Sequence, residues 1–107
     1  MLDLHLGQSK ESAAKTTPRF QFGESAHAKV FAGLAFDKSK FPKLTKMEDF
    51  YADASFITEE LPELIKEIDE TIKRFSGDVA VIKTLQTFRS TCEEALKTDE
   101  TIFCFSD

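Results

Sequence analysis

The fold is decided by residues 61–96, which read LPELIKEIDETIKRFSGDVAVIKTLQTFRSTCEEAL. Apolar side chains recur along each half of this stretch at the spacing of one helical face: Leu61, Leu64, Ile65, Ile68, Ile72 and Phe75, then Val81, Ile82, Leu85, Phe88, Cys92 and Leu96. Pro62 suits a first helical turn, and Gly77 suits a left-handed helix end. Because only residues 76–78 separate the two helices, the pattern predicts an antiparallel helical hairpin.

Short β-type segments lie towards both ends of the chain. Leu2, Leu4 and Leu6 alternate with polar residues, and residues 19–22 resume the alternation before Gly23. These segments predict two neighbouring antiparallel strands joined by the polar connection 8–18. Residues 101–105 are apolar on both faces, which predicts a third strand inside the sheet rather than at its edge.

A further helix is predicted between the strands and the hairpin. Ser25 suits its N-cap, and four residues share its apolar face: His27, Val30, Phe31 and Leu34. Thr45 and Glu48 fit the capping box of a short helix through Phe50. The expected fold is therefore α+β, with a three-stranded antiparallel or mixed sheet. One of its faces is covered by the N-terminal helix and the C-terminal hairpin.

Length and charge narrow the class of protein. A chain of 107 residues corresponds to a single domain, residues 1–107. The 14 Lys and Arg against 19 Asp and Glu give a net charge of −5, which excludes a generally basic nucleic-acid binder.

The N-terminal residues do not resemble a secretory signal, and no apolar run reaches the roughly 18 residues of a membrane span. We therefore expect a cytoplasmic protein.

The sequence allows two environments for each of three side chains on the last predicted helix and strand. Cys92 and Cys104 are expected to be buried thiols, with a disulfide as the alternative. Arg89 lies at the margin of an apolar helix face. We expect it to extend its charge into solvent rather than to meet a carboxylate.

Catalytic motifs are missing from the sequence. It contains no G-x-S-x-G, phosphate-binding glycine loop, H-E-x-x-H or C-x-x-C. We therefore expect no catalytic residue, cofactor or metal, and a protein that is not an enzyme. His5 and His27 could join the two cysteines around zinc, although their spacing does not require it.

Acidic residues are concentrated in the middle of the chain. Residues 48–70 contain nine acids against the single base Lys66, whereas residues 1–46 contain eight bases and four acids. Such a surface would attract a basic protein partner. The candidate contact residues are Asp49, Tyr51, Asp53, Glu59, Glu60 and Glu63. The alternative is a solvated helix face whose remaining acids are neutralised by residues 38–46 folding back.

The middle of the chain resembles a known class of protein. Met47-Glu48-Asp49-Phe50-Tyr51-Ala52-Asp53-Ala54-Ser55-Phe56 precedes two amphipathic helices and a terminal strand ending in Asp107. This arrangement, over about residues 47–107, resembles small bacterial immunity-type proteins of polymorphic or contact-dependent toxin systems. The resemblance implies a cytoplasmic, non-enzymatic protein that occludes one cognate toxin, such as a basic nuclease. The basic residues 1–46 depart from a uniformly acidic inhibitor.

Two other functions remain open at this stage. The chain could be a self-associating adaptor, a homodimer whose sheet edge at residues 2–6 or 102–105 pairs with a second copy. It could also be a small metal-binding enzyme or sensor that uses His5, His27 and the cysteines.

Overall fold

The computed structural model describes residues 1–106 and contains four strands and four α-helices. In chain order they are β1 (Leu2–Gly7), α1 (Lys10–Ala14), β2 (Phe20–Phe22), α2 (Glu24–Gly33), β3 (Ala54–Phe56), α3 (Leu61–Arg74), α4 (Val79–Thr98) and β4 (Thr101–Ser106). Three 3₁₀ turns, Lys38–Lys40, Leu44–Met47 and Thr58–Glu60, lie between α2 and α3. Asp107, expected at the end of the last strand, lies outside the described residues.

The strands form one antiparallel sheet in the order β2-β1-β4-β3. The central pair β1–β4 is in register over six residues, with Leu4 opposite Cys104. This order confirms the α+β class, the β1–β2 pairing and the interior position of residues 101–105. The expected count of three strands was wrong. The sequence Ala-Ser-Phe of β3 is too short to show an alternation, and its strand character depends on pairing with β4.

One face of the sheet is buried against the helices. Leu2, Leu4, Phe22, Phe56 and Ile102 are each fully buried and join the side chains of α2, α3 and α4 in one core. The hairpin forms as predicted, with Gly77 in a left-handed conformation (φ 100°). Asp78 caps α4, since its Oδ1 accepts a hydrogen bond from the Val81 amide at 3.2 Å. The apolar periodicity of residues 61–96 thus identified the helical layer correctly.

The connection between β1 and β2 contains the short helix α1, which the sequence did not predict. Ser9 and Ser12 form its capping box. Ala13 is fully buried, and a Cβ on Gly7 would lie only 2.9 Å from Ala13. Because Gly7 and the inward-facing Leu6 are adjacent in β1, their side-chain directions point to opposite faces. Helix α1 therefore lies on the sheet face opposite the main core.

Two expected helix starts were wrong. Gly23 rather than Ser25 is the N-cap of α2, although the predicted face of His27, Val30, Phe31 and Leu34 is buried. Thr45 lies inside the turn Leu44–Met47 and donates its hydroxyl to the Pro42 carbonyl at 3.1 Å, so its capping box does not form.

Arg89 differs from its expected solvent-directed position. Its Nε donates to Asp69 Oδ1 at 2.7 Å, and Nη1 lies 3.0 Å from Glu93 Oε1. The hairpin brings Asp69 of α3 opposite Arg89 of α4, which chain order does not reveal. Cys92 and Cys104 are free and buried, as expected, and burial raises the pKa of each thiol to about 12. Among residues 1–106, no helix combines the length and apolar character that a membrane crossing needs.

Candidate partner-binding surface

The six predicted contact residues lie on both sides of β3, the edge strand. Asp49, Tyr51 and Asp53 precede it, and Glu59, Glu60 and Glu63 follow it. The structure places these residues in different environments: Asp53 and Glu60 are bound by other parts of the chain, whereas the other four are exposed and have no ion pair within residues 1–106.

Glu60 is bound by two lysines that fold back from the preceding segment. Its Oε2 lies 3.3 Å from Lys43 Nζ and 2.8 Å from Lys46 Nζ, and its Oε1 accepts a hydrogen bond from the Ile57 amide at 3.0 Å. Burial favours the neutral acid, but the bonds from Lys46, Ile57 and Lys43 together keep the pKa of Glu60 below its ordinary value. Glu60 therefore fastens the start of α3 to residues 43–57.

Asp53 connects the segment before β3 to the end of β4. Its Oδ1 accepts hydrogen bonds from the Ser106 amide at 2.9 Å and from the Ser106 hydroxyl at 3.2 Å. Its Oδ2 lies 3.6 Å from Lys10 Nζ. The bond from the Ser106 amide is the main reason that the pKa of Asp53 lies below its ordinary value. Asp53, like Glu60, already has partners inside the fold.

The other three acids are exposed and lack an ion pair within residues 1–106. Asp49 accepts a hydrogen bond from the Tyr51 amide at 2.9 Å, and Glu59 accepts one from the Thr58 hydroxyl at 2.9 Å. Glu63 lies on the solvent side of the first turn of α3. Their negative charges therefore remain available to a partner.

Two large apolar side chains are exposed beside these acids. Tyr51 is 73% exposed and donates its hydroxyl to Glu24 Oε2 at 3.0 Å, while Ile57 is 48% exposed. The hydrogen bond to Glu24 raises the pKa of Tyr51 and orients its ring. We call the set Asp49, Tyr51, Ile57, Glu59 and Glu63 the acidic edge surface. The sequence pattern did not identify Ile57 as a contact residue, because a single apolar residue between a short strand and a helix is normally part of the core.

A buried carboxylate, Glu67, was also missed among the acids of α3. It is only 4% exposed, and its Oε1 accepts hydrogen bonds from the amides of Leu44 at 2.9 Å and Lys43 at 3.0 Å. Burial raises its pKa, and the nearby Glu63 charge acts in the same direction. The sequence contains one signal, since Glu67 follows the apolar residue Leu64 by three positions and therefore lies beside it on the helix. Glu67 closes the turn Leu44–Met47 onto α3.

The zinc alternative does not match the geometry. His5 Nδ1 lies 3.2 Å from the Thr16 hydroxyl, and His27 Nε2 lies 2.7 Å from the Met47 carbonyl oxygen. Within residues 1–106, the His, Cys, Asp and Glu side chains form no group of three or more that could bind a metal ion. The two histidines and two cysteines are therefore not brought together as a site.

The strand edges proposed for self-association were also misplaced. Residues 2–6 and 102–105 belong to β1 and β4, which are the two inner strands and pair with each other. The edges of the sheet are β2 and β3. At the β3 edge, Lys46 Nζ donates to the Ser55 carbonyl oxygen at 2.6 Å, and such a lysine discourages pairing with another strand.

The fold places the chain in the broad class of small α+β proteins with an antiparallel sheet. Comparisons with protein-family models, curated proteins and solved structures found no match. The immunity-type resemblance of residues 47–107 therefore stays a prediction.

Proposed function

We propose that this protein is a small non-enzymatic inhibitor that neutralises a cognate protein toxin by covering part of its surface. The observation that carries this proposal is the acidic edge surface, in which three carboxylates without an ion pair in residues 1–106 accompany two exposed apolar side chains. Negative charge without an internal partner attracts a basic protein and accelerates its association. A basic nuclease toxin in the cytoplasm fits this chemistry and the resemblance of residues 47–107.

The two carboxylates that are bound within the fold hold the backbone of the acidic edge surface in place. Glu60 fixes the start of α3 to two lysines and to the amide of Ile57, so the backbone that carries Ile57, Glu59 and Glu63 is tied to the fold. Asp53 fixes the preceding segment to Ser106. A surface that is ordered before binding loses little conformational entropy when the complex forms. We therefore assign Asp53 and Glu60 to positioning, and Asp49, Glu59 and Glu63 to contact.

The size of the surface suits a standard protein–protein interface. Tyr51 and Ile57 are six residues apart in the chain, so their Cα atoms are separated by at most about 20 Å. An interface of about 800 Å² per partner is roughly 30 Å across, so both side chains fit within one contact area. Exposed acids act mainly on the association rate, whereas buried aromatic and apolar anchors act mainly on dissociation. We expect Tyr51 and Ile57 to provide those anchors.

The test begins with affinity capture, using this protein as bait in a lysate of the source cell that contains its own toxins. The captured partner is then used to measure association rates for wild type, Glu59→Lys and Glu63→Lys at low and high salt. Glu11→Lys is the matched control, since Glu11 is an exposed acid on α1 without an ion pair in residues 1–106. We expect each edge variant to associate roughly tenfold more slowly at low salt, with a smaller difference at high salt.

Inhibition supplies the second measurement. Tyr51→Ala and Ile57→Ala should release the partner faster and restore its toxic activity, with the association rate little changed. The proposal fails if Glu11→Lys slows association as much as the edge variants do. It also fails if the partner remains active when bound.

A further inference from the structure

The two edges of the sheet differ in how they are covered. The β3 edge is blocked by Lys46, which donates to the Ser55 carbonyl oxygen. Along β2, by contrast, β1 is the only described element whose groups hydrogen-bond the backbone of Phe20–Phe22. An edge strand directs alternate N–H and C=O groups away from its sheet, and these groups can pair with a further strand. The β2 edge is therefore available to pair with a further strand.

A cavity of about 670 Å³ lies directly along this open edge. Pro18 and the strand β2 form one side, the first turn of α2 forms the next, and Thr84 and Thr87 of α4 form the far wall. The cleft that contains Glu67 measures about 320 Å³ by comparison. The cavity is therefore large enough to receive side chains from a strand that pairs with β2.

Most of the side chains that line the cavity are uncharged. Its two charged side chains already have partners: Arg19 Nη1 lies 3.2 Å from Glu94 Oε2, and Glu24 accepts the Tyr51 hydroxyl. The remaining side chains are uncharged, including those of Gln21, Ala26 and Thr87. A charged guest side chain would find both charged side chains of the lining already paired. Small and medium uncharged side chains suit the cavity best.

From this combination we infer that the β2 edge binds an extended peptide segment of a protein partner, which adds a fifth strand to the sheet. Main-chain hydrogen bonds to β2 would supply affinity, and an uncharged side chain in the cavity would supply selectivity. The β2 site adjoins the acidic edge surface, because Glu24 in the cavity lining accepts a hydrogen bond from the Tyr51 hydroxyl. It does not depend on the proposed inhibition of a toxin.

A second copy of the chain fits this edge less well than a peptide does. In such a dimer, the strand brought alongside would be another β2. Its Phe20 and Phe22 are 7% and 0% exposed because they fill its own core, so they could not enter the cavity. Gln21 points to the other face of the sheet, where its amide donates to Asp3 Oδ1 at 3.0 Å. Pairing with a copy would therefore leave the cavity empty.

The probe is a library of synthetic peptides, acetylated and amidated, with threonine at alternate positions. The positions between the threonines are occupied by alanine, valine, leucine, tyrosine, lysine or aspartate. We expect the valine or leucine peptides to bind at least tenfold more tightly than the lysine and aspartate peptides. Binding should slow hydrogen exchange of backbone amides in Phe20–Phe22. N-methylation of alternate peptide amides should abolish peptide binding when the methylated amides are those that face β2.

Two variants on the same helix test the location. Thr87→Arg places a long side chain in the cavity, whereas Ser90→Arg makes the same change at an exposed position of α4 outside the lining. Arginine is a good helix former, and comparison of the unfolding free energies of both variants with wild type checks the fold. We expect Thr87→Arg to weaken peptide binding at least tenfold and Ser90→Arg to leave it unchanged.

Several results would overturn the inference. These are a library in which no peptide binds, full binding by both N-methylated registers, or equal weakening by the two arginine variants. Sedimentation supplies a further one. A wild-type dimer that Thr87→Arg converts to a monomer would assign the edge to a second copy rather than to a peptide.

Discussion

Replacing Glu67 with alanine should destabilise the protein by about 2–4 kcal/mol. The side chain is 4% exposed, and its Oε1 accepts two backbone hydrogen bonds, from Leu44 at 2.9 Å and from Lys43 at 3.0 Å. A buried donor left without an acceptor costs about 1–3 kcal/mol. The Leu44 amide is buried, so its cost is near the upper part of that range. The Lys43 amide is partly buried and adjoins a cleft, so water can offset part of its cost.

Glutamine at the same position separates the charge from the hydrogen bonds. In Glu67→Gln, one amide oxygen can accept from both backbone groups, so the loss at acidic pH should be about 1 kcal/mol or less. Burial raises the pKa of Glu67 above its ordinary value of 4.5, and this outweighs the two backbone bonds that favour the carboxylate. The folded protein therefore holds this proton to a higher pH than the unfolded chain does.

The sign of the pH dependence follows from this difference. The stabilisation from the raised pKa is complete below the unfolded value and is lost as the pH rises through the folded value. Glutamine does not titrate. Wild type should therefore lose stability relative to Glu67→Gln as the pH rises from about 4 towards neutrality.

Urea unfolding, monitored by circular dichroism, measures both effects. Glu63→Ala is the control, because Glu63 is an exposed acid one helical turn earlier and should change stability by no more than about 0.5 kcal/mol. If Glu67→Ala is as stable as Glu63→Ala, the carboxylate does not hold the turn Leu44–Met47. If wild type instead gains on Glu67→Gln as the pH rises, the hydrogen bonds outweigh desolvation, and the argument is refuted.

Three further predictions follow from buried thiols, an ion pair and a protected edge. With burial raising the pKa of Cys92 and Cys104 to about 12, thiol reagents at neutral pH should label neither residue until urea unfolds the protein; rapid native labelling would contradict this. The half-buried pair Arg89–Asp69 should show a small coupling free energy in a double-mutant cycle, and a coupling that does not shrink with salt would contradict its partial exposure to solvent. Lys46→Ala should open the β3 edge and cause concentration-dependent association in sedimentation; a persistent monomer would show that Lys46 does not protect it.

Much of the fold could be predicted because its signals are local. The apolar stripes of α3 and α4 repeat over several helical turns, and Gly77 and Asp78 mark the boundary between the helices. The strand β4 showed its interior position through apolar residues on both faces. These features depend on neighbours within a few residues in the chain. A single sequence therefore reveals them.

The missed elements are those whose signal is short. Strand β3 has three residues, and α1 has five inside a polar connection. Neither length allows a hydrophobic period to repeat, so neither stands out from loop. Strand β3 exists through its pairing with β4, and α1 through the close approach of Ala13 to Gly7. Both contacts join parts of the chain that the sequence pattern leaves unrelated.

The sequence by itself determined the α+β class, the helical hairpin and the concentration of acids in residues 48–70. Only the tertiary structure decided which of those acids are available to a partner. It placed Lys43 and Lys46 on Glu60, Ser106 on Asp53 and two backbone amides on Glu67, while Glu59 and Glu63 stayed exposed. The physical reason is the short range of these interactions. A hydrogen bond or ion pair requires atoms within about 3–4 Å, and residues far apart in the chain meet at that distance only after the chain has folded.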